Sequence, residues 1–164
     1  MAVKNKEPST GEIMQRMAVL RRFRELLKAQ RDRFGAYLDV LEKQKDVIDR
    51  GTADSLVRHV ELEEKIVADI FSIQKVINPL EELYRNARQS SIAEKENEDI
   101  VDLKSALEGL KKEAVSRSKR NKELLSRRMA DLRTEIKNIR SNPYIHPRSA
   151  FSEPGTPGLV DLRG

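Results

Sequence analysis

Ile13, Leu20, Leu27, Phe34, Leu41 and Ile48 fall seven residues apart, and nothing else in the chain so narrows what it can fold into. Seven residues are two turns of α-helix, so these side chains form one stripe. Met17, Phe23, Tyr37 and Leu38 lie beside it at offsets of three or four, and the positions between are mostly Arg, Lys, Glu, Asp and Gln. A helix over this run is roughly 55–60 Å long at 1.5 Å per residue. That exceeds the diameter of a compact domain built from 164 residues, so the stripe must be covered by other long helices. The expected fold class is all-α: an elongated antiparallel helical hairpin or coiled-coil bundle of three long helices, rod-like, with a Pro/Gly-rich C-terminal tail.

Local signals place the helix ends. Ser9 and Glu12 have the spacing of a capping box, so the first helix starts there. It ends at Asp49-Arg50-Gly51, where Gly51 is expected to take the left-handed conformation that closes a helix. Thr52 follows as the next N-cap, with Asp54 in a first turn where the helix dipole favours negative charge. So short a connection folds the second helix back antiparallel on the first.

The second helix carries Leu56, Val60, Ile66, Val67, Ile70, Ile73, Val76 and Ile77 on one broad face, wide enough for two neighbours. Glu61, Glu63, Glu64 and Asp69 read as largely opposite. Asn78-Pro79 is expected to interrupt it, with a kink or a short second piece to about Ala87, because Pro79 lacks an N–H and disfavours helical geometry at Asn78.

Ser91 and Glu94 offer another capping box, so the third helix begins there or by Glu98. Its seam runs Ile100, Leu103, Leu107, Leu110, Ala114 and then fails, since the next positions are Arg117 and Asn121. Periodicity resumes with Leu124, Leu125, Met129, Leu132, Ile136 and Ile139 and stops before Asn142-Pro143. The break has two readings: a polar layer fixing register inside a bundle, as one buried Asn does in coiled coils, or a helix that leaves the bundle and offers its later residues to a partner. Residues 1–141 are read as one helical domain. Residues 142–164, with four prolines, are read as a flexible tail in which only Val160-Asp161-Leu162 looks able to dock.

The chemistry available is narrow. There is no Cys, which excludes disulfides, thiolate metal sites and cysteine nucleophiles. His59 and His146 are the only histidines, and His59 with Glu63 four residues on gives too few ligands for a metal. No serine has a histidine in a nucleophile arrangement and no glycine-rich phosphate loop is present, so no enzyme, metal or cofactor is expected. No apolar run approaches the ~18 residues of a membrane span, and residues 1–10 lack a signal-peptide core, so the expected location is the cytoplasm.

Net charge is +5, and residues 111–133 alone hold nine basic against three acidic side chains, more than the excess of the whole chain. A nucleic-acid reading would set this helix against phosphates. No aromatic residues interleave for base stacking, and Glu113, Glu123 and Asp131 remain on the segment. A solvated face or an acidic protein partner is the preferred reading.

The run from Leu20 to Ile77 resembles the front half of the FlgN-like flagellar export chaperones. The resemblance is carried by a long amphipathic helix, a turn at Gly51, then Leu56, a Glu-rich patch at Glu61 to Glu64, and Ile70 with Ile73. Asn121, Leu124 and Leu125 are similar to that family's Asn-x-x-Leu-Leu segment. The resemblance implies a cytoplasmic chaperone that holds hook-filament junction proteins and delivers them to the type III export apparatus, with no small-molecule substrate, specific nucleic acid or membrane insertion. It places partner binding on Asn121, Leu124, Leu125, Met129, Leu132 and Ile136. The alternative is a structural coiled-coil adaptor or homo-oligomeric rod without a client.

Overall fold

The computed structural model describes residues 7–87, 94–141 and 144. Among them lie three α-helices and no strand: α1 Thr10–Arg50, α2 Ala53–Ala87 and α3 Glu94–Ser141. The fold class is thus all-α, with three long helices. The proposed cap at Ser91, the junction at 88–93 and the tail after Ser141, Tyr144 apart, lie outside the described residues. The chain divides into two compact units, Met1–Leu124 and Leu125–Gly164.

The helix ends follow the local chemistry. Glu12 N donates to Ser9 Oγ (3.3 Å) and Ser9 N to Glu12 Oε2 (2.8 Å), a complete capping box. At the start of α2, Ser55 N donates to Thr52 Oγ1 (3.2 Å) and Thr52 N to Ser55 Oγ (2.9 Å), so Ser55 plays the reciprocal part that Glu12 plays in α1. Gly51 departs from expectation: its φ of −84° and ψ of 174° are extended, not left-handed. Glycine is needed there for room, because a Cβ would sit 2.5 Å from the Val47 carbonyl oxygen and 2.8 Å from Ser55 Oγ.

Pro79 does not divide the second helix, since α2 runs unbroken through it to Ala87. A proline inside a helix forfeits one backbone hydrogen bond and crowds the preceding turn. Burial of Ile77 and Tyr84 on either side of it holds the helical path. Asn78 is no cap either, for its Oδ1 accepts from Gln74 Nε2 at 2.7 Å along the helix surface.

Within the first unit the pairing can be read from residue numbers. Between α1 and α2 the numbers run in opposite senses: Tyr37 and Gln44 bond Glu63, Gln30 bonds Gln74, and Phe23 stacks on Tyr84 at 5.1 Å between ring centroids. These helices are antiparallel. Between α1 and α3 the numbers advance together, Arg24 with Asp99, Leu38 with Arg117 and Leu41 with Asn121, so α3 runs parallel to α1. Lys104 Nζ reaches Glu81 on α2 at 2.7 Å. The core that results takes Leu20, Phe23, Leu27 and Phe34 from α1, Ile77 and Tyr84 from α2, and Ile100, Leu103, Leu107 and Ala114 from α3. The heptad stripe is therefore the central seam, buried from Leu20 to Ile48, with Ile13 half-buried.

Candidate functional site

Two features of α3 bear on what the chain can do: the polar break in its seam and the apolar stripe that follows. The break is a hydrogen-bonded layer joining all three helices. Asn121, 3% exposed, donates from Nδ2 to the Leu41 carbonyl (2.7 Å) and to Gln44 Oε1 (3.0 Å). Gln44 Nε2 passes the network on to Glu63 Oε2 (2.8 Å), whose other oxygen accepts from Tyr37 Oη (3.1 Å). On the far side Arg120 Nε donates to Asn121 Oδ1 (3.2 Å) and Arg120 also holds Glu42 (3.0 Å). Arg117 donates to the Leu38 carbonyl (3.2 Å) and to Glu113 (2.8 Å).

The charges in this layer answer one another. Burial pushes the Tyr37 hydroxyl above its ordinary pKa, reinforced by the Glu63 carboxylate and offset in part by Ser118. The hydrogen bond from Arg120 holds the Glu42 carboxyl below its ordinary range against partial desolvation, with Lys45 and Arg117 adding to the effect. Glu63 consequently faces α1, not the opposite side of α2, and both its oxygens are engaged by Tyr37 and Gln44. His59 gains no partner from it, and its Nδ1 is buried without a hydrogen bond.

Of the two readings of the break, the register layer describes Arg117 and Asn121. A buried, satisfied polar network resists slippage because any shift leaves desolvated amides unpaired, at about 1–3 kcal/mol each. Asn121 is accordingly removed from the partner-binding set, since both its donor hydrogens and its acceptor oxygen are occupied inside the first unit. Leu124 is half-buried at the end of that unit.

Gln30 and Gln44 were read among the polar positions outside the seam, yet both are buried. Gln30 Nε2 donates to the Ile70 carbonyl (3.1 Å) and to Gln74 Oε1 (3.2 Å), making a second polar layer. The missed signal is spacing: Phe23, Gln30, Tyr37 and Gln44 are themselves seven apart and form the second column of the heptad.

In the second unit Leu125 is half-buried, and every described residue from Ser126 onward is exposed. Met129, Leu132, Ile136 and Ile139 are between 40% and 51% exposed. With Leu125 they step four, three, four and three residues, a heptad a/d pattern of their own. It is offset by one position from the count that runs Ile100 to Asn121, because two successive steps of four intervene at Leu125 and Met129. Arg127, Arg128, Arg133, Lys137 and Arg140 lie among these residues against only Asp131 and Glu135. Such a surface is suited to receiving another helix by its apolar face. Among the described residues no group of three or more His, Cys, Asp or Glu side chains is placed to hold a metal ion. No helix of the described chain is long and apolar enough to cross a membrane.

Fold and site together define an all-α protein with three long helices among the described residues, a buried heptad seam and an exposed apolar stripe. Comparison with known proteins places it further. No family model and no solved structure matches the chain. It is 32% identical over 154 residues to an uncharacterized protein of Treponema pallidum (strain Nichols), an alignment that covers 94% of this chain and 95% of that one. The chain belongs to the same family as that protein.

Proposed function

We propose that this protein is a non-catalytic binding protein whose stripe Leu125, Met129, Leu132 and Ile136, extended by Ile139, accepts an amphipathic helix of a client. The single observation that carries this is the exposure of four large apolar side chains at strict helical spacing, in a chain that buries its earlier seam. Isolated exposed apolar residues are ordinary on protein surfaces, but a contiguous periodic row marks an interaction site. The likeness of Gly51, Leu56, Glu61 to Glu64, Ile70, Ile73 and Leu124-Leu125 to FlgN-like chaperones supports a finer reading. On that reading the protein is a cytoplasmic flagellar export chaperone, its clients are hook-filament junction proteins, and it brings them to the type III export apparatus.

The test is a Leu132→Asp/Ile136→Asp variant, assayed by co-purification of tagged junction proteins and by thermal melting. Carrying two carboxylates into an apolar groove costs several kcal/mol, against the ~8 kcal/mol of a micromolar complex. Client capture should be lost with the melting temperature unchanged. A large fall in melting temperature would show the stripe to be this protein's own core instead. A second reading is favoured by the same heptad spacing, which is also that of a coiled-coil seam between copies of the chain. Light scattering separates them: a dimer or larger rod that the double variant converts to monomer, with no client bound, supports the structural alternative.

A further inference from the structure

A different surface, within the first unit and independent of the stripe, carries a second inference. α1 and α3 run parallel and leave between them an open groove of about 600 Å³. Its apolar lining is made by Phe34 and Ala114, both buried, and by Val115, which is 70% exposed at its edge. Tyr37 lines the groove from α1 with its hydroxyl bonded to Glu63 (3.1 Å), and Ser118 lines it from α3. The rim is basic. Lys119 and Lys122 line it, and no carboxylate does.

Within residues 111–122, Lys111 meets Glu108 (3.4 Å), Arg117 meets Glu113 (2.8 Å) and Arg120 meets Glu42 (3.0 Å). Lys119 and Lys122, like Lys112 outside the groove, have no carboxylate within ion-pair distance among the described residues, and no carboxylate lines the groove. The three lysines of the groove, Lys111, Lys119 and Lys122, span about three helical turns, the length over which a docked helix makes i, i+3, i+4, i+7 contacts.

We propose that this groove is the docking site for an acidic amphipathic helix of a protein partner. Its leucines or valines would lie on Phe34, Ala114 and Val115, and its Glu and Asp side chains would meet Lys119 and Lys122. The apolar floor supplies affinity and the unanswered lysines supply orientation and encounter rate. Nucleic acid fits less well, because Phe34 is buried and Tyr37, the other ring lining the groove, is half-buried and held by its hydroxyl on Glu63, which leaves little aromatic surface for a base to stack on.

The probe is a fluorescent synthetic helix with Leu at alternating three- and four-residue steps and Glu at most other positions. Its binding to the full chain is followed by anisotropy, with a scrambled peptide of the same composition and a short duplex DNA as controls. The wild-type protein should bind the amphipathic peptide, more weakly as salt rises, and bind the scrambled peptide and the duplex at least about tenfold more weakly. Val115→Asp and Lys119→Glu/Lys122→Glu should each weaken binding about tenfold or more, and both alter exposed residues, so their melting curves should match the wild type. Leu132→Asp/Ile136→Asp should bind the peptide as the wild type does, which separates this site from the client stripe. The proposal is overturned if the groove variants bind normally, if loss appears only in the stripe variant, or if the scrambled peptide or duplex binds as tightly. Absence of any binding at high micromolar peptide would overturn it as well.

Discussion

α3 holds two rows of apolar residues with nearly the same composition and opposite fates. Ile100, Leu103 and Leu107 are buried against α1 and α2, whereas Met129, Leu132, Ile136 and Ile139 are exposed. Helical spacing specifies that a face exists; it does not specify what covers the face. The first row is matched by the stripe of α1 and by Ile77 and Tyr84 of α2, so its partners are encoded in the same chain. The second row has its own heptad register, entered after the polar layer at Arg117 and Asn121. Among the described residues, the layer thus separates a buried seam from an exposed one.

The largest expected effect lies on the buried side. Phe23 is fully buried and stacks on Tyr84, so Phe23→Ala removes both transfer free energy and ring contact and leaves a cavity. A loss of about 3–5 kcal/mol is expected in urea denaturation followed by circular dichroism at 222 nm. A loss below about 1 kcal/mol would mean that the core formed by α1, α2 and α3 is loose enough to collapse around the void, and would blur the contrast between the two rows.

The polar layer gives an intermediate effect. Asn121→Ala leaves Gln44 Oε1 and the Leu41 carbonyl without their donor and Arg120 Nε without its acceptor, and the buried groups left behind cost about 1–3 kcal/mol. The expected signature is a lower melting midpoint together with faster amide hydrogen exchange in α1 near Leu41 and in α3 near Asn121, since local opening follows the loss of register. An unchanged exchange pattern would show that the seam alone fixes how α3 lies on α1.

Much of this was legible in the sequence, and what was not has physical causes. The stripe from Leu20 to Ile48, the capping box at Ser9 and Glu12, the tight turn at Gly51-Thr52 and the end of α3 at Ser141 are local patterns with local causes. Gly51 was placed correctly for the wrong reason, since crowding by Val47 and Ser55, not a left-handed backbone, requires the missing Cβ. Pro79 reads as an interruption with a kink or a short second piece because its local cost is real, yet α2 continues through it, and burial of Ile77 and Tyr84 outweighs one lost hydrogen bond. Gln30, Gln44 and Glu63 escaped because an amide or carboxylate at a seam position becomes recognisable only when its partner on another helix is known. The same limit applies to the candidate site: the spacing from Leu125 to Ile139 was visible, but the burial of Asn121 depends on Leu41 and Gln44, some eighty residues away.

The smallest expected effect is the one that tests the exposed row directly. Ile136 is 51% exposed, so truncating it forfeits less than a core side chain would, and Ala has a higher helix propensity than Ile. The two terms oppose each other, and Ile136→Ala should change stability by no more than about 0.5 kcal/mol. Leu107→Ala, in the same helix but at a buried position, should cost about 2–5 kcal/mol. Both variants truncate an aliphatic side chain to Ala in the same helix, so the difference between them reports mainly burial, with a few tenths of a kcal/mol from the lower helix propensity of Ile. Repeating the Ile136→Ala melt over a wide range of protein concentration sharpens it further. If the row is free in the isolated protein, the effect stays small at every concentration. If copies of the chain cover the row, wild-type stability rises with concentration by mass action and the Ile136→Ala deficit grows with it. A deficit of core size at the lowest concentration would place Ile136 in an intramolecular seam and remove the stripe from consideration as a client surface.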